Sequence, residues 1–373
     1  HLSKRSYNRF ISLGWRMFMS SAPYRIPSTA PASSVEAERA SMPEVLRSLK
    51  DLSNVGFVAY PRLTGQVCCD MYGDLPYGLF TLPRAVVRGE HGFVFTNERL
   101  PIVEQNAGLL RKKKFVRAKF DEVSESIGEP LRVGELVSLV SRCNDCFWHW
   151  MMDNLPKVML AEECGFKGAY LLPPSSKTPW ATESMKLMRI SSERLVYADQ
   201  REVEADRLYV PSYFCGFNAH HNIPFMKMYR DWVRAAISAD SIHGEERIFI
   251  GRRESAKVRR VVNQGDVEQI LKGYGVRTLY FEDLSLRAQL ELACATKVMV
   301  APHGSGLSHS LFMNERSVLI EFFPYKGHQA CDCYETLSQV TNHRYRSLES
   351  VGDRAGDIEV NLEDLNKILT EEL

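Results

Sequence analysis

In the second half of the chain, apolar and polar positions switch regularly between a period of two and a period near 3.6. Arg247 to Ile250 reads as a strand, Asp266 to Lys272 as a helix closed by Gly273 and Gly275, and Val276 to Phe281 as a second strand. Ser285 to Ala295 follows as a helix with Leu286, Leu290 and Ala293 on one face, and Val298 to Ala301 and Val318 to Phe322 as two further buried strands. Strands alternating with helices of about ten residues predict parallel βαβ units and a doubly wound, Rossmann-like sheet. Ligands in such sheets bind beyond the carboxyl ends of the strands. Gly251-Arg252-Arg253 and the loop His303-Gly304-Ser305-Gly306 both fall there.

The first half is less regular and reads as mixed α/β. From Val55 to Ala118 short apolar runs alternate with turn residues, and Phe93 to Thr96 has the look of a strand. Leu136 to Val140, Gly168 to Leu172 and Arg207 to Val210 are further strands, with helices over Thr182 to Arg189 and Met226 to Ala239. Cys146 to Cys164 carries Phe147, Trp150, Met151, Leu155, Val158 and Met159 at mostly helical spacing, and Pro156 should break or kink that segment or begin a new helix. The patterns divide the chain into a basic amphipathic segment and linker over 1–35, an α/β domain over 36–243, a Rossmann-like domain over 244–350 and a C-terminal helix over 351–373.

Composition narrows the function classes. The formal net charge is +1, from 47 basic and 46 acidic residues, so no global field draws the chain to nucleic acid, and any anion binding is local. The nine cysteines lack the density of a disulfide scaffold and favour a reducing compartment. Cys143 and Cys146 with Cys331 and Cys333 have the composition of a four-thiolate zinc site, but neither pair sits in a short loop-rich module, and ordinary buried thiols fit better. No apolar run is long enough to span a membrane. Residues 1–19 suit either a basic helix on an anionic membrane surface or a core-docking helix, and Arg9 and Arg16 interrupt any signal-peptide core.

The candidate chemistry gathers at few places. The loop His303 to Gly306 enters a short helix, so its backbone N–H groups point outward at the positive end of a helix dipole, where an anionic group such as a diphosphate is favoured. Arg252, Arg253, Arg259 and Arg260, with Asn263, lie near the same sheet edge, and guanidinium forks match phosphate oxygens. Glu321 ends an apolar strand, and its carboxylate needs a partner there: a ribose diol or a nearby arginine. His149 and Asp153 stand four apart, on one helical face, as a base and its orienter, two metal ligands or a self-satisfied pair. No third ligand of clear spacing and no D-x-D pair occurs, which disfavours a metal-dependent sugar transferase. The absence of a G-x-S-x-G elbow removes the α/β-hydrolase reading.

Three blocks resemble the inverting glycosyltransferases of family 61: Phe147-Trp148-His149-Trp150-Met151-Met152-Asp153-Asn154-Leu155-Pro156; Ile250-Gly251-Arg252 with Arg259 and Asn263; and His303-Gly304-Ser305-Gly306-Leu307 with Leu311-Phe312-Met313 and Glu321. The resemblance implies a GT-B architecture, two Rossmann-like α/β domains facing a cleft, with the acceptor on the N-terminal side and a nucleotide-sugar, most simply a uridine diphosphate sugar, on the C-terminal domain. It implies inversion by a single displacement with no essential metal and no other cofactor. Arg252 and Arg259 should meet the diphosphate, with Asn263 in the same block, His303 to Gly306 should donate to it, and Glu321 should sit near the nucleoside. Asp153 is the candidate base, with His149 orienting or replacing it. Gly251 stands where the family usually has Ser, and His309 where Asn is common. The expected partners are a nucleotide-sugar donor and a glycan or lipid-linked saccharide acceptor in polysaccharide synthesis, in the bacterial cytoplasm at the inner membrane face or, for a truncated chain, in the Golgi or endoplasmic reticulum lumen. A catalytically silent nucleotide-sugar or glycan binding module is the alternative.

Overall fold

The computed structural model describes residues 56–62, 66–67, 75–88, 92–97, 129–140, 146–173, 179–197, 202–212, 222–254, 256, 259–324, 332–351 and 356–373. The basic segment 1–19, the linker and Cys143 and Cys331 lie outside them. Two sheets carry the fold.

The first sheet contains β1 (Gly56–Ala59), β4 (Gly78–Arg88), β5 (Phe93–Phe95), β6 (Leu131–Ser138), β7 (Ala169–Leu172), β8 (Leu195–Tyr197) and β9 (Val203–Pro211), in the order β1-β4-β9-β6-β7-β8 with β5 against β4. The short pair β2 (Gln66–Val67) and β3 (Leu75–Pro76) stands apart. Strands β9, β6, β7 and β8 run parallel, and the helices Leu155–Glu163 and Pro179–Leu187 connect β6 to β7 and β7 to β8. Strands β1, β4 and β5 are antiparallel additions, so the expected Rossmann-like pattern holds for only part of this sheet. For β4 and β5 the reason is local: four residues separate them in the chain, and so short a connection joins only antiparallel neighbours.

The second sheet is parallel throughout and orders β10 (Glu246–Ile250), β11 (Arg277–Leu279), β12 (Thr296–Pro302), β13 (Val318–Phe323) and β14 (Arg344–Glu349) as β11-β10-β12-β13-β14. Side chains alternate between two cores. Phe249, Val298, Val300, Val318, Ile320 and Phe322 face a cluster closed by Val267 and Leu271 of helix Gln264–Gly273 and by Leu365 and Leu369 of helix Leu362–Glu372. Ile248, Ile250, Met299, Ala301 and Leu319 face the opposite side, where one apolar cluster continues into the first sheet through Met151, Val158, Tyr170 and Leu172. Strand order reverses direction between β10 and β12, and the loops that leave these two strands carry Arg252 and His303.

Strand β14 has no signal in the apolar pattern, because it is an edge strand in which Leu348 is the single fully buried position. The helix expected from Met226 to Ala239 runs from Ile223 to Ala236, begun by Asn222, whose side chain accepts the Phe225 N–H, and by Pro224 in its first turn.

Candidate anion and base site

Strand β12 ends at Pro302, and the ladder persists one step further through the His303 N–H, which donates to the Phe322 carbonyl at 2.9 Å. Gly304 then caps an eight-residue 3-10 helix, Ser305–Phe312. Gly304 is extended; what demands glycine is space, since a Cβ there would overlap Nη2 of Arg252. That guanidinium donates to the His303 carbonyl at 3.5 Å, and Arg259, itself in the left-handed region at φ 60°, donates to the same oxygen at 3.2 Å.

Two guanidinium groups therefore converge on one carbonyl beside the loop, at the switch point of the sheet. Burial, and then the charge of Arg259, push the Arg252 side chain below its ordinary value. The neighbouring arginines have carboxylate partners: Arg253 pairs with Asp283 and lies over the Tyr280 ring at 4.6 Å, and Arg260 donates through both Nε and Nη2 to one oxygen of Asp357. Arg259 makes no ion pair with a described carboxylate. Two like charges held together in this way accept an anion readily.

The remaining residues expected at the site divide. Ser305 faces Cys146, with Oγ and Sγ 3.8 Å apart, and the Gly306 carbonyl accepts from Nδ1 of His309 at 2.9 Å. Asn263 has both ends of its amide on Val360: Nδ2 donates to its carbonyl at 2.8 Å and Oδ1 accepts its N–H at 3.1 Å, extending the bridge between Val261 and Ile358. Glu321 is fully buried and, among the described residues, receives His303 Nδ1 and the Tyr345 hydroxyl. His309 lies between Phe147, stacked at 5.2 Å, and Phe281, edge-on at 4.8 Å, and burial lowers its pKa to about 4. It is thus a neutral wedge beneath the loop.

In the first half the segment Cys146 to Cys164 continues through Pro156 as one helical run, in which a single α-turn, Phe147–His149, widens into a π-helix, Trp150–Asn154, before α-helix resumes at Leu155. Proline supplies no N–H and its ring needs room at the preceding turn, and the wide turn provides both. His149 Nδ1 and Asp153 Oδ2 lie 2.7 Å apart, with the imidazole 31% and the carboxylate 9% exposed. The other carboxylate oxygen is buried without a hydrogen-bond partner. One turn on, Lys157 is buried; desolvation lowers its pKa and the charge of Asp153 opposes that shift.

Blocks far apart in sequence meet here. Besides the Phe147–His309 stack, Trp148 meets the Tyr334 ring edge-on at 4.9 Å, and the Tyr334 hydroxyl donates to the Gly304 carbonyl at 2.5 Å. The His149–Asp153 turn is thus mounted against the loop that collects the arginines. Tyr334, Tyr345 and Lys157 were not found by sequence reasoning: none lies in a spaced motif, and each acquires meaning only through what folds against it.

The second sheet brings two guanidinium groups to its switch point in an α/β protein, with a His–Asp pair mounted nearby. Residues 147–320, a little under half of the chain, match the family model described as Glycosyltransferase 61. Over 104 residues it is 28% identical to the EGF domain-specific O-linked N-acetylglucosamine transferase of Drosophila melanogaster, a match covering 27% of this chain and 19% of that protein. Among solved structures, the E. coli heptosyltransferase WaaC with ADP aligns with 65% of this chain and all of its own at 10% identity and a TM-score of 0.29.

Proposed function

We propose that this protein is an inverting glycosyltransferase of GT-B type that takes a sugar from a nucleoside diphosphate donor, most simply a uridine diphosphate sugar, and needs no metal for the transfer. The observation that carries the reading is the convergence of Arg252 and Arg259 on the His303 carbonyl at the switch point of the sheet. A departing diphosphate develops charge that something must neutralise, and two guanidinium groups beside the backbone N–H groups of Gly304, Ser305 and Gly306 supply that neutralisation. Asp153 takes the proton of the acceptor hydroxyl, and His149 holds the carboxylate in place through one oxygen while the other stays open.

A binding module that only held a nucleotide-sugar would have no use for a buried carboxylate with an open oxygen beside an imidazole, which favours the enzyme over the silent module. The acceptor is a glycan or lipid-linked saccharide, or a protein, since the Drosophila relative is named as specific for an EGF domain.

Calorimetric titration with nucleotides and nucleotide-sugars, with and without divalent cations, tests the reading. One diphosphate series should bind, and transfer should persist in chelator. Binding by none would remove the diphosphate site, and activity lost to chelator but restored by magnesium or manganese would overturn the metal-free mechanism.

A further inference from the structure

The sequence reading gave Glu321 a place near the nucleoside, but its surroundings suit a different task. Strand β13 alternates sides, so that Ile320 and Phe322 enter one core while Glu321 turns to the opposite face, between Ala301 of β12 and Ser347 of β14. It is 0% exposed. One oxygen is taken by His303 Nδ1 and the other accepts the Tyr345 hydroxyl at 2.6 Å. Burial and the adjacent carboxylate raise the Tyr345 hydroxyl far above its ordinary value, so it remains a donor. The His303 ring is fixed edge-on between Phe323 and Tyr334, each at 5.3 Å. With Nδ1 committed to the carboxylate, Nε2 is the ring nitrogen left to meet a ligand, on the residue whose carbonyl gathers Arg252 and Arg259.

We propose that Glu321 and Tyr345 are positioning residues for His303, holding its ring so that Nε2–H donates to the departing diphosphate, and that Glu321 does not touch the nucleoside. This rests on the reading of the loop as the diphosphate site. The Glu321 carboxylate fixes the ring's orientation through Nδ1, which aims Nε2 at the anion that the two guanidinium groups attract. Among the described residues, the other charged or titratable groups near the pair include Tyr334, Tyr345 and Glu335, whose own carboxyl is raised by burial, by Asp332 and by Glu321. In the displacement, the acceptor oxygen bonds to the anomeric carbon as the bond from that carbon to the phosphate oxygen breaks and leaves its electron pair on the phosphate. The hydroxyl proton passes to Asp153, and His303 keeps its proton, shared with the phosphate oxygen.

The test is a double-mutant cycle on uridine diphosphate affinity, measured by calorimetry in the full chain. Glu321→Gln and His303→Gln should each weaken binding about tenfold, and the double variant should bind no worse than His303→Gln alone. Tyr345→Phe, the milder change, should weaken binding about threefold in the native background and not at all beside His303→Gln. Additive losses, or unchanged affinity in Glu321→Gln or Tyr345→Phe, would overturn the relay while leaving the diphosphate site intact. If the unaltered protein binds no nucleoside diphosphate, the site reading itself fails and the relay falls with it.

Discussion

At the scale of single residues, the environments of Asp153, Arg252 and Gly304 make separable predictions. Asp153→Asn keeps the shape of the wide turn but removes the base, so transfer should fall by at least about a hundredfold while nucleotide affinity stays within a few fold. Retained turnover would place the base elsewhere. Arg252→Ala should instead weaken nucleotide binding, by about tenfold or more, because a charge-assisted hydrogen bond is lost. Gly304→Ala should do the same without touching a charge, since the new Cβ occupies the place of the Arg252 guanidinium; calorimetry on both variants checks this pair. His309 and His343 carry a pH dependence. Burial lowers each imidazole from an ordinary 6.5 to about 4, so between these values the unfolded chain binds protons that the folded one refuses. Their contribution to stability is complete above about pH 6.5 and is lost as the pH falls toward 4. Melting curves at pH 4.5 and 7 should show a smaller acid-induced drop for His343→Gln than for the native chain.

Elements add a second layer, because the 3-10 helix Ser305–Phe312 is held at both ends by distant parts of the chain. Its start leans on Tyr334, and its final carbonyls are capped from helix Ile223–Ala236, where Arg234 donates to Phe312 at 2.6 Å and Arg230 to Met313 at 2.9 Å. Cations at the carbonyl end suit the helix dipole, and buried carbonyls left unpaired are costly. Arg234→Ala should therefore lower stability by about 1–3 kcal/mol, read as a fall in melting temperature. An unchanged melting point would mean that water replaces the cap. The wide turn at Trp150–Asn154 and the proline behind it show how far sequence reasoning reached at this scale. The proline announced an interruption, but the sequence offered no choice among break, kink and new helix, since the outcome depends on how Trp150, Met151 and Met152 pack into the shared core.

Across the whole molecule, the C-terminal helix belongs to the second sheet's core. Leu365 and Leu369 are fully buried there, and Glu372 pairs with Arg344 and Arg346 of β14. Removing residues 362–373 should expose one face of the parallel sheet, with loss of a cooperative melting transition by circular dichroism; a variant that still melts cooperatively would show that the sheet stands without its cover. The apolar cluster common to both sheets gives the molecule a second property. Phe147 on His309 and Trp148 on Tyr334 fasten the candidate base turn to the anion loop, so the two parts of the site are positioned by one continuous packing surface.

The sequence by itself determined the parallel sheet of the second half, the loops leaving its strands and the residue types at the site, because periodicity and small-residue loops are local signals read over ten or so positions. It also placed His149 and Asp153 on one helical face, which needs only the rise and turn of a helix. Only the tertiary structure decided which partner each charge meets. Arg253 and Arg260 are as basic in sequence as Arg252 and Arg259, and they differ because Asp283 and Asp357 fold against the first pair and the His303 carbonyl against the second. The same holds for Glu321, a carboxylate at a strand end whose task is set by His303 and by Tyr345 of an edge strand that left no apolar pattern. Partners brought together by long-range packing have no spacing for a sequence to display.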